Sequence, residues 1–399
     1  MCVAPSAARR VEIADVFRRY GPTYRANTRL HPRQHRAMQA IEQCRTPAMG
    51  GHLQACDHCN AMVVRFHSCR DRHCPKCQTL AKERWLEARR DELLATPYYH
   101  LVFTLPHDLN PLIQGHPRCL YNLLFKAASE TLLTFGRDPK WVGGEIGVTL
   151  VLHTWGQNLG AHFHVHGLVT GGGLAPDGQH WLNAKHQRLL FPVSALSEVF
   201  KAKYLDLLIK ARRSGALRFG GTTEQLADDP AFSAFIAKLR DTYWTVYSKA
   251  PFAGPKNLID YLGRYTHRVA ISNERIVGLD DDQVQFRWRD YRDNARMKTM
   301  SLAADEFIRR FLLHILPSGF VRIRHYGLFA NRHRKTKLAL CRAALDQPEP
   351  EPRPKPSVET LMQRLTGRDI LACPQCAKGQ LQLIMILKPS RQPWPTGPP

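Results

Sequence analysis

The chain has 399 residues, with 57 Lys or Arg against 34 Asp or Glu and a net charge of +23. A hydrophobic fraction of 44% beside 23% charged residues is that of a soluble globular protein with room for two or three domains, and no apolar run is long enough to span a membrane. So basic a balance points to a polyanion, with DNA or RNA as the default partner.

Arg9, Arg10, Arg18 and Arg19 lie in the first twenty residues without the apolar core of a signal peptide, and the protein is expected in the cytoplasm. Ile13, Val16, Phe17 and Tyr20 form a helical stripe ahead of Gly21-Pro22. Residues 44–78 are rich in Cys, His, Gly and Arg and too poor in apolar residues for an ordinary core. A helix from Gln78 to about Ala95 and a strand over Tyr98–Leu105 follow. The spacing predicts a helix at 119–135, then strands Gly144–Thr154 and His162–Thr170 as an antiparallel hairpin, the second ended by Gly171-Gly172-Gly173. Helices are expected at 194–212, 231–247 and 255–266, and strands at 268–277 and 283–289. Residues 287–340 carry 13 Lys or Arg against 4 acids, a net +9. The Pro-rich run 347–356 reads as a stiff linker to a short helix at 358–366 and a Cys373-x2-Cys376 turn, and the last dozen residues as disordered.

Six of the eleven cysteines lie between residues 44 and 77, which in a chain without an export signal means metal rather than disulfides. Cys56-x2-Cys59 and Cys74-x2-Cys77 have the spacing of a four-sulfur structural zinc site. Cys44, His52, Cys69 and His73 lie around these four and are candidates for a second zinc. Cys373 and Cys376 form a knuckle with no evident partner and are left out of the metal assignment. Residues 1–90 hold 17 Lys or Arg against 7 acids, so this module also suits DNA.

His164-Val165-His166, inside an alternating run, points two imidazoles to one strand face. If the hairpin forms, His153 stands beside them and three imidazoles converge on one divalent cation, with positions left for phosphate oxygens. His162 competes for the third place by the same alternation, with Gln157 and Asn158 as weaker options. Tyr261 and Tyr265 stack one helical turn apart. Leu258, Tyr261, Leu262 and Tyr265 also have the spacing of a buried helix face, so spacing alone favours a core role. Chemistry argues the other way: a phenol of pKa about 10 can attack a phosphate polarised by histidine-bound Mg²⁺ or Mn²⁺. Lys256, Arg264, His267 and Arg268 are candidates for neutralising phosphates.

The chain resembles, over nearly its full length, the two-tyrosine, rolling-circle-type transposases of bacterial insertion sequences, in the HUH endonuclease superfamily. The likeness is carried by Gln34-His35 through Cys44-Arg45-Thr46, Gly50-Gly51-His52, Ser68–Gln78, Phe103–Pro106, Leu152–Gln157, His162–His166, Tyr261–Tyr265 and Phe311–Gly327. It implies an α+β fold: an HUH-type antiparallel sheet with flanking helices, preceded by a small cysteine-rich zinc-binding domain. It implies that His164 and His166 are metal ligands and Tyr261 and Tyr265 nucleophiles. The likeness to conjugative relaxases adds His153. Gly167 departs from a common family form that has cysteine there.

The domains expected are 1–95 (zinc and DNA binding), 96–340 (catalytic, with a basic C-terminal part) and 341–399 (linker, helix and CxxC tail). The reading is a metal-dependent transposase that nicks and rejoins single-stranded DNA at element ends through a 5′-phosphotyrosine. Its partners are those ends and target DNA, with no membrane, and self-association is left open. The chain is expected at the bacterial nucleoid when DNA-bound. The alternatives are a plasmid replication initiator or relaxase, for which no Gly-x4-Gly-Lys-Ser/Thr helicase loop is present, and a non-catalytic zinc-dependent DNA-binding protein.

Overall fold

The computed structural model describes residues 10–251, 263, 267–351 and 353–390. In chain order its helices are α1 (Ile13–Asn27), α2 (Pro32–Gln43), α3 (Pro75–Arg90), α4 (Asn110–Gly115), α5 (Pro117–Arg137), α6 (Val193–Arg213), α7 (Asp229–Asp241), α8 (Ala304–Leu312), α9 (Arg334–Ala344) and α10 (Val358–Thr366). Its strands are β1 (Gly51–Cys56), β2 (Met62–Phe66), β3 (Tyr98–Thr104), β4 (Glu145–Trp155), β5 (Ala161–Leu174), β6 (Trp181–Asn183), β7 (Val246–Lys249), β8 (Ile276–Asp280), β9 (Gln283–Asp290), β10 (Arg296–Ala303), β11 (Ile323–Gly327) and β12 (Leu381–Leu387).

The central sheet is antiparallel in the order β11-β4-β5-β3-β7, with β6 also on β5. Alternation sorts its side chains. Leu101 and Phe103 of β3, Leu150 and Leu152 of β4, and Phe163 and Val165 of β5 join α5, α6 and α7 in the main core. The opposite face carries Tyr98 and Leu168, covered by Leu86 of α3 and Leu338 of α9. The strand parity that buries Phe163 and Val165 puts His164 and His166 on this second face. The architecture is α+β, as expected.

A second core joins α1 and α2 to the sheet β10-β9-β8 and to α8, and takes in Trp155 and Leu159 at the β4–β5 turn. The N-terminal helices therefore share their interior with residues 270–312. α1 also runs through Gly21-Pro22, where the sequence stripe stopped. Tyr24 extends the buried stripe one turn further, and Gly21 gives Met38 and Glu42 of α2 room to approach.

Three other elements differ from the sequence reading. Gly171–Gly173 do not end β5, which continues to Leu174. A Cβ at Gly172 would lie 2.6 Å from the Leu182 carbonyl and one at Gly173 2.8 Å from the Glu145 carbonyl, so glycine lets two neighbouring strands close in. The helix expected over 231–247 stops at Asp241, because Val246–Lys249 pairs with β3 instead. The strand expected at 268–277 begins only at Ile276, after a 3₁₀ turn over Asn273–Arg275. Within the helix expected at 255–266, residues 255–262 and 264–266 lie outside the described residues.

The C-terminal segment, expected to stand apart from the body, returns to the N-terminal region. β12 pairs with β1 along Gly51–Cys56, giving a small sheet β12-β1-β2. Among the described residues no helix is long and apolar enough to cross a membrane.

Candidate metal centres and basic cleft

The hairpin β4–β5 pairs His153 directly with His164, and Val151 with His166. One ligand atom from each of His153, His164 and His166 lies within 4.8 Å of the others. The His164 and His166 Nε2 atoms are 3.2 Å apart, and the His153 ring stands 4.4 Å from that of His166. His162 is not in this group. Its ring stacks on His107, and its carbonyl accepts the His164 Nδ1–H at 3.0 Å.

That hydrogen bond fixes the His164 tautomer, leaving the Nε2 lone pair to face the trio. A second support was not foreseen from the sequence. His100 of β3 places its Nε2 2.9 Å from His166 Nδ1, so the outer nitrogen of His166 is held as well. Its signal was present: His100 has the strand parity of Tyr98, which fixes the face, and β3 lies beside β5. Burial pushes the His164 and His100 imidazoles down to about 3 and holds His166 well below the ordinary range, so all three stay neutral. Neutral imidazoles with aligned lone pairs can ligate a cation.

A cleft of about 830 Å³ runs between α3 and residues 267–275. Arg10, Arg45, Lys76, Lys82, Arg268 and Arg275 line it, against Glu12 and Glu274. The positive charge of Arg268 reaches both His164 and His166, helping to depress their pKa values. His267 packs on Trp85, and burial pushes it down to about 4. Gly263 also lines the cleft; a Cβ there would lie 3.0 Å from Leu86 Cδ1 of α3. Tyr261, Tyr265, Lys256 and Arg264 lie outside the described residues.

The cysteines group differently from their sequence spacing. Cys56 and Cys59 do not meet Cys74 and Cys77. The structure brings Cys44, Cys69, Cys74 and Cys77 together in one cluster, and Cys56, Cys59, Cys373 and Cys376 in another. The Sγ separations are 3.6 Å for Cys44–Cys77 and 3.7 Å for Cys69–Cys77. A tetrahedral site with Zn–S bonds of about 2.3 Å has sulfur–sulfur edges of roughly 3.75 Å, so the cysteines fit a zinc ion.

The reason for the exchange is geometric. β1 and β2 form a hairpin that carries Cys56 and Cys59 to its far end, while the segments before and after the hairpin return to one place. There Arg45 N–H donates to the His67 carbonyl, and Cys69 N–H to Cys44 Sγ. His52 and His73 are outside both clusters. His52 meets His67, Nε2 to Nε2, at 3.0 Å. His73 Nδ1 lies 2.9 Å from the Asp71 carboxylate, and its Nε2 accepts the Leu316 N–H at 3.1 Å.

Two family models match this chain: "Transposase zinc-binding domain", of the IS91 type, over residues 16–105, and "Putative transposase" over residues 147–337. The chain is 50% identical over 392 residues to "Putative transposase y4qJ" of Sinorhizobium fredii, covering 97% of each chain. It is 29% identical over 293 residues to "Transposase for insertion sequence element IS801" of Pseudomonas savastanoi pv. phaseolicola, covering 72% of this chain and 68% of the relative. No solved structure matches it. With the histidine trio on the sheet and two four-cysteine clusters, the chain belongs to the IS91-family transposases with an N-terminal zinc-binding domain.

Proposed function

We propose that this transposase nicks and rejoins single-stranded DNA at the ends of its element through a 5′-phosphotyrosine, by a rolling-circle-like route. The observation that carries the reading is the convergence of His153, His164 and His166, with the charge of Arg268, which lines the basic cleft, reaching His164 and His166. His153, His164 and His166 would hold a divalent cation, which when bound draws charge from the non-bridging oxygens of the scissile phosphate. The donor set is all imidazole, softer than the oxygen cage Mg²⁺ prefers, so Mn²⁺ is the cation to load first.

Around that point the chain's own groups divide the work. Arg268 and Arg275 neutralise phosphate charge in the cleft, and other basic side chains grip the backbone. The phenol oxygen of Tyr261 or Tyr265 attacks phosphorus, and the P–O bond to the 3′-oxygen breaks. The phenol gives up its proton, the 3′-oxygen leaves as a hydroxyl, and the 5′-phosphate stays on tyrosine. Attack by another 3′-hydroxyl reverses the exchange and joins a new strand, the covalent bond having kept the energy for rejoining. Two tyrosines allow donor and target cleavage in succession without release of either end. We further propose Cys44, Cys69, Cys74 and Cys77 as ligands of a structural zinc that shapes the N-terminal domain.

The test uses labelled single strands bearing an element end, Mn²⁺ and a denaturing gel. Wild-type protein should give a covalent protein–DNA adduct and a free 3′-hydroxyl fragment. Tyr261→Phe combined with Tyr265→Phe should give none while still binding the strand. An undiminished adduct in the double variant defeats the tyrosine assignment.

A further inference from the structure

The second cysteine cluster joins parts of the chain more than three hundred residues apart. Cys56 Sγ lies 3.7 Å from Cys376 Sγ, and Cys59 Sγ 3.8 Å from Cys373 Sγ. These separations are too long for disulfides, in which the sulfurs are about 2.05 Å apart, and fit the edges of a zinc–thiolate tetrahedron. Backbone N–H groups point at sulfurs of both knuckles. Cys59 N–H donates to Cys56 Sγ at 3.5 Å, and Gly379 N–H to Cys376 Sγ at 3.4 Å. His58 N–H and Gln375 N–H each reach the first sulfur of their own knuckle at 3.4 Å. Donated N–H groups favour thiolate over thiol.

The surroundings are built for this meeting. Asp57 N–H donates to the Gln380 carbonyl, and Gln380 N–H donates back to the Asp57 carboxylate at 2.8 Å. A Cβ at Gly379 would stand 2.5 Å from Cys56 Sγ, so only glycine lets the knuckles approach. Apolar packing cannot hold the segment. The local core has three fully buried residues, Cys56, Cys373 and Leu381. Leu383, Ile384, Met385 and Ile386 of β12 are each more than half exposed. A three-stranded sheet with so little buried on its faces needs another source of stability.

We propose that Cys56, Cys59, Cys373 and Cys376 form a second structural zinc site, a clasp that fastens the C-terminal segment to the N-terminal domain. The clasp has a consequence for the cleft. Between the Pro-rich run and the knuckle lies α10, whose Met362, Leu365 and Thr366 line the cleft together with Arg268 and Arg275. α10 is tied to α3 by Arg364 on Glu87 at 2.8 Å, and Arg65 Nη1 donates to the Ile370 carbonyl. With the clasp closed, the C-terminal segment supplies one wall of the basic cleft.

The test is ¹¹³Cd NMR on the full-length protein reconstituted with ¹¹³Cd²⁺. Two signals in the four-thiolate region are expected from wild-type protein, and one from Cys373→Ser combined with Cys376→Ser. A cation on the histidine trio resonates elsewhere and does not confuse the count. Limited proteolysis should then cut the variant within residues 347–380 at least tenfold faster than wild type. Cys59→Ser, at an exposed position, should lose the same signal and guards against misfolding of the double variant. One four-thiolate signal in wild type, two in the variants, or mass-spectrometric detection of Cys56–Cys376 and Cys59–Cys373 disulfides overturns the clasp. The wall rests on the DNA reading and is measured separately: binding of a labelled single strand should weaken about tenfold in the double variant. Unchanged binding after loss of one signal removes the wall and leaves the clasp standing. None of these outcomes bears on the tyrosine adduct.

Discussion

The histidine trio and the cysteine clusters are both candidate metal centres, yet they are assembled in opposite ways. His153, His164 and His166 come from one hairpin of adjacent strands, so pairing register alone brings them together. Each cysteine cluster is closed by residues from separated segments: Cys44 with Cys69 through Cys77 across a hairpin, and Cys56 and Cys59 with Cys373 and Cys376 across the chain. A centre held by local register can be read from sequence spacing. One held by topology cannot, because spacing does not say which knuckles meet.

That contrast predicts different failures. His164→Ala removes a proposed ligand from a strand whose register is set by backbone pairs and by Phe163 and Val165 on the other face. The fold should survive, and Mn²⁺-dependent nicking should fall by well over the roughly 10–100-fold that loss of an outer-shell partner costs. Rates on labelled strands, with circular dichroism as the fold control, decide it; near-wild-type nicking in excess chelator would remove the cation from the chemistry.

Cys44→Ser should act the other way, on structure first. Cys44 is fully buried, and its cluster sits on the second core that joins α1 and α2 to α8. Binding of a structural zinc contributes on the order of 10 kcal/mol in small zinc domains, so loss of one thiolate should cost several kcal/mol here. The expected result is the disappearance of one four-thiolate cadmium signal and a lowered melting temperature. Retention of that signal, with Cys56→Ser abolishing it, would restore the pairing of Cys56 and Cys59 with Cys74 and Cys77 that the spacing suggested.

Much of the sheet was legible because period-two alternation is a local property. The alternation that puts His164 and His166 on one strand face leaves Phe163 and Val165 on the other, where the main core buries them, and the hairpin at 144–170 has its expected strands. Three kinds of information were not local. Gly171–Gly173 look like a terminator, but the strands that need those missing side chains lie elsewhere in the chain. Val246 fits a helical stripe, yet β3 offers an open edge that captures it as a strand. His73 has ligand chemistry and sits among cysteines, but Asp71 and the Leu316 N–H claim both its nitrogens. In each case a partner distant in sequence overrode a sound local signal. The helix expected to carry Tyr261 and Tyr265 belongs to neither class, since both residues lie outside the described residues.

The subtlest test of the contrast is His100, which touches no candidate cation and supports His166 from the neighbouring strand at 2.9 Å. If register positions the trio unaided, His100→Phe should change little, because the backbone pairing of β3 with β5 is untouched. If the outer nitrogen of His166 needs its partner, the ring gains freedom and Mn²⁺ affinity should drop by about 10–100-fold. His100→Gln retains a polar group near His166 Nδ1 and should recover part of that loss. Mn²⁺ titration by electron paramagnetic resonance reads affinity without relying on turnover, and nicking at saturating Mn²⁺ should return close to wild type. A drop in saturated rate with unchanged affinity would instead give His100 a structural role in the sheet, and the hairpin would then suffice to hold its own ligands.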